Sequence, residues 1–261
     1  MRAAAALACA LLGAGGGAAL AGETDKWRGP FGGQFNAQFT VASDYAYAGI
    51  SNTQLQPAFQ VGVDYKTPDL IDAFPLWFYA TGFGSNVSFP ASGPGTEIDV
   101  GGGVKFRLLE KKLSIDMGYL RYSYPDADAS LAYNYGEFSL NVGYELGYAT
   151  LNGRLRFSPN SFGDSGHSWN KRALLSVPLE FLKTETFAFK AYGSIGNLWV
   201  DRFALYGLPS QDYWYWQIGL VTSAWGLDFM VAYTDTSIEP SGCGNTSYCA
   251  GRAFVSLTKT F

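Results

Sequence analysis

Apolar and polar residues alternate along most of this chain. In one stretch, Ile98 and Val100 are interleaved with the acidic residues Glu97 and Asp99. The same alternation recurs over residues 137–145, 151–157 and 227–234. A repeat of two residues places successive side chains on opposite faces of a β-strand. The pattern therefore predicts strands with one greasy face and one polar, often charged, face.

The alternation and the breaks between its runs predict twelve strands. Their approximate ranges are 34–50, 55–66, 75–88, 96–109, 112–124, 133–146, 148–158, 169–181, 187–198, 211–223, 226–238 and 250–261. Most of these are long enough to cross a bilayer at a tilt, which takes about 9–11 residues.

The predicted connections alternate between short and long. Tight turns fall at 109–111, 146–147, 183–185 and 224–226, whereas longer connections fall at 89–95, 125–132, 159–168, 199–210 and 239–249. Short periplasmic turns and longer external loops are typical of outer-membrane barrels. We expect both chain termini on the side of the short turns, as an even number of strands requires.

The two ends of the chain support export to the outer membrane. Arg2 precedes a small-residue apolar run to Leu20 and an Ala19-Leu20-Ala21 exit, the features of a secretory signal. The last predicted strand ends on the aromatic Phe261, which resembles the insertion signal of outer-membrane barrels. The expected division is a signal peptide at 1–21, a periplasmic segment at 22–33 and a barrel at 34–261.

Composition narrows the class of protein. Aromatic residues make up 16% and charged residues 15% of the chain, with 32 glycines. Soluble proteins carry about 25% charged residues. A formal net charge of −4 gives no basic surface for nucleic acid. A soluble β-sandwich or lipocalin-like barrel would put the apolar face inside, and the sequence alone does not say which face points inward. Export, strand length and loop alternation favour a single closed antiparallel up-and-down transmembrane β-barrel.

The charged faces are candidates for the lumen lining. The residues expected at mid-depth, where they would set selectivity, are Asp99, Lys105, Asp116, Glu137, Arg154 and Arg156. If the charges stand on opposite walls, the lumen is a narrow passive channel for small solutes. If they pair across it, the barrel is a plugged structural or ligand-binding barrel. The solute is not indicated.

Two further features are expected outside the lumen. Cys243 and Cys249 remain after signal removal, and an even pair in an exported protein predicts a disulfide. Tyr213, Trp214, Tyr215 and Trp216 are interpreted as part of an interfacial aromatic girdle.

An enzyme is not expected. Ser165 and His167 lie close in sequence, as in an outer-membrane lipase, but the His-x-Ser-Asn-Gly order of that family is absent, so a polar external loop accounts for them better. Surface adhesion through the external loops is the other alternative. No metal or cofactor is implied. The expected partners are outer-membrane lipid, lipopolysaccharide and the barrel-assembly machinery.

Short motifs follow one another along the chain: Ser43-Asp44-Tyr45 with Gly49-Ile50-Ser51, Gly84-Ser85-Asn86-Val87, Glu97-Ile98-Asp99, Gly118-Tyr119, Tyr122-Ser123-Tyr124-Pro125, Asn134-Tyr135-x-Glu137, Ser158-Pro159 and Phe162-Gly163. This ordered set resembles the proteobacterial Gcw_chp family of exported proteins without an assigned activity. Ala46-Tyr47-Ala48 departs from the expected pattern. The resemblance implies an outer-membrane location and no particular substrate.

Overall fold

The computed structural model describes residues 29–71, 75–89 and 93–261. The expected signal peptide at 1–21, and residues 22–28 of the expected periplasmic segment, lie outside these described residues. The strands are β1 Gln34–Ala42, β2 Ala46–Tyr47, β3 Ile50–Ser51, β4 Ala58–Lys66, β5 Leu76–Asn86, β6 Thr96–Leu108, β7 Leu113–Ser123, β8 Tyr135–Glu145, β9 Thr150–Ser158, β10 Ser168–Pro178, β11 Ala188–Val200, β12 Asp212–Ala224, β13 Leu227–Thr236 and β14 Arg252–Thr260.

Twelve of these strands form one closed barrel. Each is antiparallel to its sequence neighbours, and β1 pairs with both β4 and β14 to close the wall. The predicted fold class is confirmed. Closure removes the unpaired strand edges of the sheet. Such edges are very unfavourable in hydrocarbon, because their backbone groups would have no hydrogen-bond partners.

The first predicted strand is too long. The wall strand β1 ends at Ala42, and β2 and β3 form a separate two-stranded sheet instead of continuing it. The chain leaves the wall after Ala42 because Tyr45 and Tyr47 bind Glu97 and Asn170, which lie on strands distant in sequence.

The apolar face of the barrel points outward. On β6, Ile98 and Val100 are 45% and 55% exposed, whereas the alternating Glu97 and Asp99 are fully buried. Phe138, Trp214 and Phe229 are likewise exposed on the outside. A soluble barrel would show the opposite arrangement, so this exterior is suited to lipid. Among the described residues, no helix is long and apolar enough to cross a membrane.

The two ends of the barrel differ. The end that carries Gln34 and Phe261 has short connections between β6 and β7, β8 and β9, and β12 and β13; we call it the inner end. Trp225 and Gly226, both with positive φ, make the last of these a two-residue turn. Two longer connections, between β4 and β5 and between β10 and β11, also lie at the inner end, the second where a tight turn at 183–185 is predicted. The other long connections, including the short helix α1 at Phe203–Tyr206, lie at the opposite, outer end.

The final strand has the predicted faces. Val255 and Leu257 are exposed on the exterior, whereas Ser256 and Thr258 are buried on the lumen side. Lys259 donates to the carbonyl oxygen of Trp225 at 3.1 Å and lies over the Phe261 ring. Its ammonium group therefore reaches the rim of the inner end, as a snorkelling side chain does.

Candidate functional site: the lumen and its plug

The first outer connection folds into the barrel. We call residues 43–57, which contain β2 and β3, the plug hairpin. Ala48 and Gly49 have φ values of 46° and 82°, which gives the tight turn that joins two short antiparallel strands. Asn52 and Thr53 are completely buried, so the hairpin lies within the lumen and not above it.

The tip of the plug hairpin touches the wall at β13, two strands from β1. A Cβ atom on Gly49 would lie 2.4 Å from Thr236 Cγ2 and 3.1 Å from the carbonyl oxygen of Asp235. Glycine is needed here twice, for its positive φ and for the absence of a side chain. The hairpin leaves the wall at β1 and its tip rests against β12 and β13.

An ion pair anchors the base of the plug hairpin. The guanidinium of Arg252 on β14 donates from Nε to Asp44 Oδ2 at 2.7 Å, and the hydroxyls of Ser51 and Thr53 donate to Asp44 Oδ1. Arg252 Nη1 also donates to the carbonyl oxygen of Gly49 at 3.0 Å. One side chain of the wall thus binds both the base and the turn of the hairpin.

Two tyrosines fix the hairpin across the lumen. The Tyr45 hydroxyl donates to Glu97 at 2.7 Å, and Asn170 on β10 donates to the Tyr47 hydroxyl at 2.7 Å. Tyr47 also donates to Glu137 at 3.4 Å. Burial raises the pKa of the Tyr47 hydroxyl, so it stays protonated and keeps this contact across the ordinary pH range.

Beside Tyr47, a buried ion pair joins two neighbouring strands. Arg156 on β9 approaches Glu137 on β8 at 3.4 Å, and both side chains are almost fully buried. Tyr122 donates to Glu137 at 2.8 Å and accepts from Arg156 at 2.9 Å. The additional hydrogen bonds satisfy the charges, which a buried pair requires.

Four outer connections cover the plug hairpin with aromatic rings. Phe162 stacks on Tyr133 with ring centroids 4.1 Å apart, and Phe89 and Tyr206 pack edge-on against it at 5.6 and 6.0 Å. Phe162 is fully buried. The outer half of the lumen is therefore filled by packed aromatic rings and hydrogen-bonded side chains.

The inner half of the lumen is hollow. A cavity of about 510 Å³ extends from beneath the plug hairpin to the inner end, where the lining residues Asn36 and Lys66 are exposed. This volume falls within the range of small-molecule sites, roughly 300–1,000 Å³. The lumen is thus a pocket, closed at the outer end and open at the inner end.

The six predicted lumen residues all point inward, but they do not form rings at one depth. Asp99, Glu137 and Arg156 belong to the closed outer half, where Asp99 lies beside Glu97. Lys105, Asp116 and Arg154 line the open inner half. The sequence identified the correct faces, whereas depth depends on where the hairpin enters.

The residues of the inner half form one row of directly paired positions across six neighbouring strands, β5 to β10. Directly paired positions run from Trp77 through Lys105, Asp116, Asn141 and Arg154 to Arg172. Tyr79 donates to Asp116 at 2.8 Å, which holds that carboxylate on the side of β5. At the end of the row, the Trp77 ring is approached by the cations of Lys66, Lys105 and Arg107 at 5.7–6.0 Å.

The sequence analysis missed the residues that close the lumen. Tyr45, Tyr47 and Asn170 were not among its candidates, and Arg172 was not given a role. The available signal was the turn-forming Ala48-Gly49 pair, which interrupts the long first strand. Nothing local indicates that the turn points inward.

Cys243 and Cys249 form the expected disulfide, in the last outer connection. It closes a small loop that braces the plug hairpin. Within that loop, the carbonyl oxygen of Tyr248 accepts from the backbone N–H of Ser51 at 2.9 Å, and the Tyr248 hydroxyl donates to Gln54 at 2.8 Å.

The four aromatic residues of the predicted girdle divide between two faces. Trp214 and Trp216 are exposed on the exterior. Tyr213 and Tyr215 are buried inside, where the Tyr215 hydroxyl donates to Asn170 at 2.6 Å. The girdle interpretation is wrong for the two tyrosines, because consecutive residues of a strand face opposite ways.

The serine and histidine of the external loop do not form a catalytic contact. Ser165 is fully buried and its hydroxyl has no partner among the described residues, whereas His167 is exposed and stacks on Trp199 at 5.8 Å. Within residues 29–71, 75–89 and 93–261, no group of histidine, cysteine and acidic side chains is arranged to hold a metal ion.

Comparison with solved structures shows the same fold. The KdgM porin matches with a TM-score of 0.52 and 8% identity over 87% of this chain and 99% of that chain. The NanC porin gives 0.48 and 7% over 87% and 98%, and LpxR from Salmonella typhimurium gives 0.46 and 11% over 87% and 99%. A comparison with curated proteins finds no match.

The family comparison covers the whole barrel. The matching family model spans residues 28–261, which include every described strand and the plug hairpin. The chain therefore belongs to Gcw_chp, described as a bacterial protein family of unknown function.

Proposed function

We propose that this protein is a bacterial outer-membrane barrel that binds a small solute in a pocket open to the periplasm. The observation that carries the proposal is the plug hairpin, which fills the outer half of the lumen above a cavity of about 510 Å³. Of the two functions that the sequence suggests, this proposal favours the plugged ligand-binding barrel over the open passive channel.

The membrane location rests on the exterior and the two chain ends. An apolar exterior that encloses the ionic side chains is suited to lipid tails. The expected signal peptide supplies export, and Phe261 is the proposed insertion signal for the barrel-assembly machinery. In this orientation the long connections face lipopolysaccharide and the inner end faces the periplasm.

A permanently open channel fits the contacts poorly. A passive pore needs a continuous wet passage, yet Tyr45, Asn52 and Glu97 are at most 1% exposed at the level of the plug hairpin. The Tyr45 and Tyr124 hydroxyls both donate to Glu97, and the Tyr124 ring packs against Phe89. An enzyme is not supported either, since the Ser165 hydroxyl has no hydrogen-bond partner among the described residues and His167 stacks on Trp199.

Planar-bilayer recording tests the closed lumen. We expect the purified full-length protein to insert and remain silent, with insertion checked by gel mobility of the unheated, folded barrel. A steady conductance in the unmodified protein would contradict the proposal and restore the passive channel.

A gated channel is the second candidate, favoured by the small number of charged contacts that hold the plug hairpin. Arg252→Gln removes the ion pair to Asp44 and weakens the bonds to the carbonyl of Gly49. If the hairpin is a gate, this variant should give intermittent openings. Arg121→Gln, an exposed arginine on the exterior of β7, serves as the matched control. Silence of both variants would indicate a permanent plug.

A further inference from the structure

We infer that Arg154 and Arg172 form a binding site for the oxyanion of a small organic acid within the inner cavity. This inference rests on the proposed function, because it names the class of solute that the same pocket takes. The proposed ligand group is a carboxylate. Phosphate has related chemistry, and the experiment below distinguishes the two.

The two arginines stand side by side without an acidic partner. They occupy directly paired positions on β9 and β10, and both line the cavity. Arg154 makes no hydrogen bond or ion pair with any described residue, and its shielded Nε lacks an acceptor. Arg172 Nη2 donates only to neutral acceptors, Ser194 at 2.8 Å and Gln217 at 3.4 Å, while its Nε also lacks one.

Such an arrangement is costly unless something else satisfies it. Two adjacent guanidiniums repel each other, and enclosed polar atoms without partners lose the hydrogen bonds that water would supply. An oxyanion between them removes both costs, because the planar fork of each arginine matches a carboxylate in a bidentate manner.

The charge of the cavity agrees with an anionic ligand. Five basic side chains line the cavity outside the ion pairs of the described residues: Lys66, Lys105, Arg154, Arg172 and Lys190. Two carboxylates do so, Asp64 and Asp116. The pocket is therefore positive within a chain whose formal net charge is −4. A charged cleft with low-dielectric walls concentrates ligands of the opposite sign.

The nearby acidic groups are held away from the arginines. Asp116 is bound by Tyr79 on β5, and Asp64 lies on β4, halfway around the twelve-strand barrel from β10. Neither forms an ion pair within 4.0 Å in the described part of the chain. The two guanidiniums thus remain available to a ligand.

The remaining walls favour an organic body on the anion. Leu174, Tyr192, Met230 and Phe254 line the cavity near β10–β14. A bare inorganic ion would leave this apolar surface uncovered, whereas a carboxylate on a compact apolar or aromatic body would contact both parts. The geometry therefore favours an organic acid over free phosphate.

Titration calorimetry on the full-length protein in a neutral detergent tests the site. The probes are benzoate, inorganic phosphate and the uncharged benzamide. We expect benzoate to bind, phosphate to bind more weakly and benzamide not to bind. Arg154→Gln and Arg172→Gln should each weaken benzoate binding by roughly ten- to hundredfold, the value of a charge-assisted hydrogen bond.

Arg121→Gln is the matched control, since it makes the same change on the exterior of β7 and should leave benzoate affinity unchanged. If neither benzoate nor phosphate binds, or if the Arg154→Gln, Arg172→Gln double variant binds as the unmodified protein does, the site is disproved. Phosphate binding without benzoate binding would disprove the organic-acid assignment. Bilayer conductance is measured separately, so failure of this site is distinguishable from failure of the closed lumen.

Discussion

At the scale of single residues, the closure of the lumen depends on positions where an ordinary side chain does not fit. Gly49 combines a φ of 82° with direct contact to Thr236 on β13. Asp44 receives the guanidinium of Arg252 from 208 positions away in sequence. These two residues determine the position of the plug hairpin, although neither is recognisable as important from the sequence alone.

Substitution of Gly49 by alanine should loosen the plug hairpin. A Cβ atom there would meet Thr236 and adopt a strained φ, at a cost of about 1–2 kcal/mol. Hydrogen exchange of the amides in residues 43–57 should then accelerate roughly 5–30-fold. Gly82→Ala is the control, because a Cβ atom on Gly82 has no neighbour within 4 Å. Equal exchange in the two variants would show that the tip is not wedged.

At the scale of elements, the barrel strands followed from the sequence and the plug hairpin did not. The wall strands alternate because one face meets lipid and the other the lumen, so each carries its own signal. In residues 43–50 the turn-forming Ala48-Gly49 pair is the local sign that the chain has left the wall. The partners that draw it inward, such as Glu97 and Asn170, lie on distant strands. No local pattern contains that information.

The last outer connection is the element that braces the plug hairpin. Replacing Cys243 and Cys249 with serine should free residues 244–248 and weaken the bonds that Tyr248 makes to Ser51 and Gln54. We expect faster hydrogen exchange in residues 51–57 and unchanged exchange in the wall strands. A reductant should have the same effect on the unmodified protein and none on the double serine variant. Unaltered exchange after reduction would show that the disulfide does not support the hairpin.

At the scale of the whole molecule, the sequence shows a near balance of charge and the structure separates it by depth. The outer half of the lumen holds two ion pairs, Arg156 with Glu137 and Arg252 with Asp44, while Glu97 accepts hydrogen bonds from Tyr45 and Tyr124. The inner half keeps basic side chains such as Arg154 without partners. The candidate faces could be identified from alternation, but pairing depends on distances between walls. A sequence pattern does not contain those distances.

The exterior should respond to charge as a lipid-facing surface does. Leu140 lies at the middle of β8 and is exposed on the outside. Leu140→Arg should lower the free energy of unfolding by about 2–4 kcal/mol, the cost of a cation near the bilayer midplane. The measurement is urea unfolding in lipid vesicles.

Gln38→Arg provides the comparison, because Gln38 lines the cavity at mid-strand on β1. It should cost much less, since the new cation would face water. Comparable losses in the two variants would contradict the assignment of the outer surface to lipid.

The wall is sealed where β1 meets β14, with five paired positions there against nine between β1 and β4. The base of the plug hairpin is fastened at that same seam, because the Ser43 N–H donates to the carbonyl of Val255 and the Val255 N–H donates to Ser43 Oγ. Assembly is thereby constrained, because β14, which closes the barrel against β1, also carries Arg252, the anchor of the plug hairpin. Closure of the barrel and fixation of the plug hairpin therefore occur together. A barrel without β14 can achieve neither of these two steps.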